Sequence, residues 1–186
     1  MDKLEGKLTM LLKDTTDWLK FAEAKNLALI TFNSAWLSYF IKSIFDVNNM
    51  ESNKIYVIAS IFCIISLLIC FIAFIPKLID FKLIKKVAKM LIGKQSPNDN
   101  MLFYKHICKY EPSEYYEKFQ RKFPDGEVFD KYNSNQNRYV KELVRQISAL
   151  AHIAFKKYLL FNLAIIITII PFVIFLVEVI KKINGA

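Results

Sequence analysis

The feature that most constrains this chain is an uninterrupted run of twenty-one uncharged residues, 55–75, closed by Pro76 and Lys77. Wound as a helix at about 1.5 Å per residue, it reaches about 30 Å, the thickness of a bilayer's hydrocarbon core. Backbone inside hydrocarbon must satisfy its own N–H and C=O groups, so the run reads as a membrane-spanning helix. A second run, 158–177, is flanked by Lys156 and Lys157 before it and by Glu178, Lys181 and Lys182 after it. Pro171 lies inside it, which in a membrane helix marks a kink more often than a break. A third segment, 27–45, is diluted by Asn33, Ser34 and Ser38 and interrupted by Lys42. It reads as a span, with an interfacial helix as the alternative, because a lysine near a helix end snorkels to the headgroups in either arrangement.

The rest of the chain has the opposite character. A mean hydropathy of +0.27 and 54% hydrophobic residues coexist with 23% charged residues and a net charge of +9. Segregation along the chain reconciles these values, as in a protein divided between lipid and water. Residues 77–157 carry seventeen Lys plus Arg against nine Asp plus Glu, whereas 46–54 carry one Lys. Cytoplasmic loops retain Lys and Arg, so the long loop faces the cytosol and the short one the outside. Three spans then place the N-terminus, with five lysines before Asn26, inside and the C-terminus outside, against the mild pull of Lys181 and Lys182. No removable signal peptide is indicated. The expected fold is all-α: an integral membrane protein with about three transmembrane helices and a helical cytosolic insert between the second and third. The expected parts are a cytosolic amphipathic helix (1–26), a transmembrane hairpin (27–76), a cytosolic helical region (77–157), and a transmembrane helix with a short tail (158–186).

Within the polar parts, Leu4, Leu8, Leu11, Leu12, Trp18 and Leu19 recur at roughly helical spacing and predict an amphipathic helix running into the first span. Residues 78–94 place Lys82, Lys85, Lys86 and Lys89 on one stripe, and Gly93 with the polar run 95–100 stops that helix. A short aromatic helix is predicted over 101–110, another over 114–122, and a turn at Pro124-Asp125-Gly126. From about Gln136, Val140, Leu143, Val144, Ile147, Leu150, Ala151 and Ala154 keep helical spacing up to Lys157. The pattern predicts one continuous helix to about Ile180, roughly 65 Å long, able to transmit a cytosolic rearrangement into the bilayer. Alternating strand patterns are absent and the loop holds only Gly93 and Gly126, which argues against a β-roll nucleotide-binding fold.

No phosphate-cradling Gly-rich motif, paired Cys at metal spacing or Gly-x-Ser-x-Gly elbow is present, so no catalytic residue, metal or cofactor is assigned and an enzyme is not expected. His106 and His152 stand without an obvious Asp or Cys partner and read as surface or packed helix residues. The three cysteines form no disulfide framework and suit a reducing cytosol; Cys63 and Cys70, seven apart, read as small residues at a helix contact. Lys25, Lys77, Lys156 and Lys157 fall at the inner mouths of the spans, where headgroup anchoring is the plain reading and reception of a ligand phosphate, helped by Arg121 and Lys122, the functional one. Phe103, Tyr104, Tyr110, Tyr115, Tyr116 and Phe119 offer either base-stacking faces or, more simply, a core for short helices. Lys42 and Glu178 both fall near the outer end of the membrane and are candidates for an ion pair.

Three passages carry a resemblance to a known family. Glu23-Ala24-Lys25-Asn26-Leu27, with Asn33 eight residues after the Lys, is similar to the acidic-x-Lys start and first-span Asn of the Pycsar transmembrane effectors (PycTM). Asn26 stands where that family has Ala, and Glu23 where it has Asp. Residues 101–104 leading to Glu114-Tyr115-Tyr116 resemble its middle segment, and 147–159, with Lys157-Tyr158, the helix leading into its last span. The resemblance implies a bacterial antiphage effector that responds to a cyclic pyrimidine nucleotide, cUMP or cCMP, and disrupts the inner membrane, arresting growth or killing the cell. On that view Lys25, Asn33, Arg121, Lys156 and Lys157 are the candidates for ligand binding or coupling. The partners are a cyclic mononucleotide, the bilayer and further copies of the chain, with no nucleic acid polymer. The rival readings are a non-sensing membrane anchor or scaffold whose basic loop binds a protein or anionic lipid, and a related effector of another nucleotide system.

Overall fold

Small and apolar residues recur at intervals of three and four along each long helix, and this repeat determines how the helices pack. A computed structural model describes residues 2–45, 53–75, 90–124 and 138–184. Most of the expected 78–94 helix, Lys77 and the Asp125-Gly126 turn lie outside the described residues. Among these, 87% are helical and none is in a strand. The helices are α1 (Asp2–Ile44), α2 (Asn53–Phe74), α3 (Tyr104–Ile107), α4 (Pro112–Lys122) and α5 (Arg138–Asn184). The chain divides into two units, Met1–Ala22 with Asp80–Lys157 and Glu23–Ile79 with Tyr158–Ala186.

The second unit is apolar. On α2, Tyr56, Ala59, Cys63, Ser66, Cys70 and Ala73 are buried, a seam with the alternating three-four spacing of knobs-into-holes packing. All but Tyr56 are small, which lets helix backbones approach closely. Two apolar clusters result. Leu29, Cys70 and Ala164 form one, with Ile30, Ile69 and Phe161 packed on it. Phe40, Tyr56, Ala59 and Cys63 form the other, with Trp36, Leu37, Ile44 and Phe175. The outward face of α2 is equally apolar: Ile58, Ile61, Leu68 and Phe71 are exposed. A continuous surface of this kind is unfavourable in water and matches hydrocarbon. Two helical stretches, Lys54–Phe74 and Arg138–Ile180, are long and apolar enough to cross a membrane. Pro171 interrupts neither the helix nor its burial pattern; α5 runs through it to Asn184. Its missing N–H leaves the Ile167 carbonyl without a ladder partner.

The first unit draws its core from Leu8 and Leu11 on α1, Tyr115, Tyr116 and Phe119 on α4, and Val140, Leu143, Val144, Ile147, Ala151 and Ala154 on α5, all buried. Trp18 packs edge-on against Tyr104 at 5.5 Å and Phe103 at 6.3 Å. Gly93 has φ +80°, the left-handed geometry that halts a helix at low cost only for glycine. The aromatic helix expected over 101–110 is a single turn, α3. Its approach is taken by a side-chain turn in which the Leu102 N–H donates to Asn100 Oδ1 at 2.9 Å and the Asn100 N–H to His106 Nδ1 at 2.8 Å. Such local bonds compete with helical ones. α4 begins two residues earlier than expected, with Pro112 in its first turn, where a missing N–H costs nothing.

Candidate functional site

In the polar unit the loop before α3 is tied into a fixed shape by one carboxylate. Asp99 accepts hydrogen bonds from the Ser96 N–H at 2.8 Å, the Tyr110 hydroxyl at 2.7 Å and the Lys109 ammonium. The Lys122 ammonium donates to the Asp99 carbonyl at 2.8 Å, and His106 Nε2 stands 3.8 Å from the carboxylate. Burial pushes the Asp99 carboxyl up, but the donors from Lys109, Tyr110 and the Ser96 N–H outweigh it and hold the group at about 2. The same pair acts in reverse on Tyr110, whose phenol is pushed up to about 12 by burial and by the Asp99 charge.

This braced loop forms one wall of a cleft of about 590 Å³, a volume in the range of small-molecule sites. Gln95, Lys109 and Tyr110 come from the loop side, Glu114 from α4, and Arg145, Ser148, Ala149 and His152 from one face of α5. Gln95 Nε2 donates to the Lys109 carbonyl and to Glu114 Oε2, both at 3.0 Å. Arg145 meets Glu142 at 2.9 Å, with both side chains more than half exposed, a pairing weak enough for an anion to displace. His152 Nδ1 lies 2.8 Å from the Ser148 carbonyl. A carbonyl only accepts, so Nδ1 carries the proton and Nε2 of the neutral ring is an acceptor. The cleft therefore offers a guanidinium suited to a phosphate beside amide, carboxylate and imidazole groups suited to the edge of a base. Cys108 also lines it. Burial pushes that thiol up to about 12, so it stays protonated and unreactive.

A second constellation sits inside the apolar unit. Asn33 on α1 is fully buried; its Nδ2 donates to Ser66 Oγ of α2 at 3.0 Å and lies 3.1 Å from Thr168 Oγ1 of α5. The Thr168 hydroxyl is also 3.1 Å from Asn33 Oδ1 and 2.8 Å from Ser66 Oγ. The Ala164 carbonyl accepts from both hydroxyls, at 3.0 and 2.9 Å. One polar layer thus joins three helices between the two apolar clusters. Asn26, one heptad earlier on α1, is 1% exposed, and neither of its amide atoms has a partner among the described residues.

The residues singled out from sequence are distributed between these places. Asn33 anchors the polar layer. Lys25 holds its ammonium 5.6 Å from the ring centroids of both Tyr158 and Phe161, a cation–π arrangement. Lys156 is half-buried and acts electrostatically on Cys108, and Lys157 is 4% exposed. Arg121 is exposed, 3.9 Å from Glu117. Arg121, Lys156 and Lys157 do not line the cleft. Lys42 is exposed in the last turn of α1, and Glu178 is half-buried on α5 within electrostatic reach of Tyr56. Tyr110, Tyr115, Tyr116 and Phe119 are buried, so their rings serve packing rather than base stacking. His106 does have an acidic neighbour, Asp99, brought there by the loop. Sequence reading passed over Arg145 and Ser148 and took His152 for a surface or packed helix residue, although their spacing of three and four places all three on one helix face, beside the stripe of Val144, Ile147 and Ala151. Gln95 and Glu114 reach them only through the tertiary turn. Among the described residues no group of three metal-ligating side chains occurs.

The family model described as the Pycsar effector protein domain (PycTM) matches residues 7–180. No curated protein and no solved structure matches the chain.

Proposed function

This chain belongs to the Pycsar effector family, and from that premise we propose that it is an antiphage effector of the bacterial inner membrane. It binds a cyclic pyrimidine nucleotide, cUMP or cCMP, from the cytosol and responds by breaking the integrity of the bilayer, arresting growth or killing the cell. The chain spans the membrane three times, with 27–45 of α1 as the first span and the long basic loop in the cytosol. It acts as a homo-oligomer, performs no catalysis, and engages no nucleic acid polymer.

The observation that carries this reading is the division of labour within one chain. A polar unit holds a cleft of nucleotide size with an arginine and a histidine on its wall, and a separate unit is apolar on its outer face. Arg145 receives the phosphate and Gln95, Glu114 and His152 meet the base. Because a ligand shifts an equilibrium only by its differential affinity, the cleft must differ in shape between the resting and the membrane-breaking states. The net charge of +9 favours one second reading, an anchor that binds anionic lipid or a protein through its basic loop without sensing a nucleotide.

Purified protein in dye-filled liposomes tests both. Leakage is expected with cUMP or cCMP at saturating concentration, little with cyclic purine nucleotides, and at least tenfold weaker sensitivity in Arg145→Ala. Liposomes that stay tight with bound cyclic pyrimidine overturn the proposal, and leakage driven by another nucleotide class assigns the effector to another signalling system.

A further inference from the structure

Along the seam between α1 and α5, the apolar unit carries an open groove of about 640 Å³. Its lining includes Ala28, Phe32, Ile165, Ile169 and Phe172, and the only charged group among the lining residues is Lys25. Phe32 and Phe172 stack at 5.6 Å with their planes 20° apart, forming a flat aromatic wall. On α5 the lining extends from Phe161 to Leu176, about 22 Å at 1.5 Å per residue. One leaflet of the hydrocarbon core is about 15 Å deep, so the groove accommodates an acyl chain along its length. A long apolar trough with a lysine among its lining residues is complementary in shape and charge to an amphiphile with an anionic head.

We propose that this groove is a binding site for an anionic phospholipid, with one acyl chain in the trough and the headgroup phosphate on the Lys25 ammonium. Tyr158 and Phe161 hold that ammonium by their ring faces, which orders the side chain before the lipid arrives and lowers the entropy lost on binding. Lys25 is then a lipid ligand rather than a nucleotide ligand. The inference rests on the reading that this unit lies in the membrane.

The chain has two tryptophans, and Trp36 packs against Phe172 at 4.6 Å, one ring away from the groove. In a Trp18→Phe background, Trp36 fluorescence therefore reports a brominated acyl chain lying there. The experiment compares quenching by dibrominated phosphatidylglycerol and dibrominated phosphatidylcholine in mixed liposomes. The expected result is a preference of about fivefold for phosphatidylglycerol, the worth of one lysine at an anionic lipid surface. Lys25→Gln should abolish the preference, while Lys25→Arg and the exposed-site control Lys20→Gln should keep it. Equal quenching by the two lipids, or a preference unchanged in Lys25→Gln, overturns the lipid site and leaves the membrane reading standing. Absence of quenching by either lipid, with the protein recovered from detergent-free supernatant, overturns both.

Discussion

Asn33 illustrates what one polar side chain does in an apolar bundle. Its amide reaches hydroxyls on two other helices, and hydrogen bonds between membrane helices contribute about 0.6 kcal/mol on average and up to about 1.7. Asn33→Val removes donor and acceptor together, while the Ser66 and Thr168 hydroxyls keep the Ala164 carbonyl as an acceptor. A loss of about 1–2 kcal/mol is expected rather than collapse, read from the midpoint of an SDS titration followed by Trp36 fluorescence. Asp99 gives a pH-dependent counterpart. Its carboxyl sits at about 2 against an ordinary 3.8, so its contribution is present in full above the ordinary value and is lost as pH falls through about 2. Wild type should exceed Asp99→Asn in stability by about 1–2 kcal/mol at neutral pH, with the gap closing between about pH 4 and pH 2 in thermal melts. Lys42 and Glu178 pose a question of coupling: if they pair across the outer ends of their helices, Lys42→Ala and Glu178→Ala have non-additive effects in a double-mutant cycle, and simple additivity rejects the pair. At this scale the sequence pointed to Asn33 by resemblance, but which hydroxyls it meets depends on the register of three helices. The Asp99 bonds to Lys109 and Tyr110 were invisible because a carboxylate in a polar run looks solvated until a loop folds over it.

At the scale of elements, periodicity was a dependable guide wherever a helix is long. The expected helix from about Gln136 to Ile180 is α5, helical from the first described residue, Arg138, and four residues longer at the end. Cys63 and Cys70, read as small residues at a helix contact, are buried in the two apolar clusters. Short elements were less legible. Seven aromatic and apolar residues within 101–110 suggest a helix, yet Asn100 and His106 capture the backbone first and leave one turn. The small seam of α2 leads to a direct test. Cys63→Phe inserts a ring where the neighbouring cluster is already filled by Phe40 and Tyr56, and a loss of about 1–3 kcal/mol follows from overpacking. The same SDS titration checks it, and Ile61→Phe on the exposed face of α2 should leave the midpoint within about 0.5 kcal/mol.

For the whole molecule, the decisive signal was the separation of charge from hydrocarbon along the chain, since it requires no knowledge of packing. Three spans with the basic loop inside predict that a cysteine placed at residue 126 is labelled by a membrane-impermeant maleimide only after cells are opened, whereas one placed at residue 50 is labelled in intact cells. Labelling at 126 from outside would reverse the topology. The cleft belongs to the part of the molecule that could not be read in advance, because Gln95, Glu114 and Arg145 converge from positions 50 residues apart in sequence.

The polar layer of Asn33, Ser66 and Thr168 has a mechanical corollary. An axial slip of α1 by a single helical turn, about 5.4 Å, would carry its amide away from both hydroxyls and strand it in oil. The bundle is therefore indexed: its helices can settle at separate notches but find no smooth track between them. If the proposed membrane opening proceeds by sliding α1 within this bundle, the whole layer is released in one step, and an effector built this way would fire at a threshold instead of leaking in proportion to its signal.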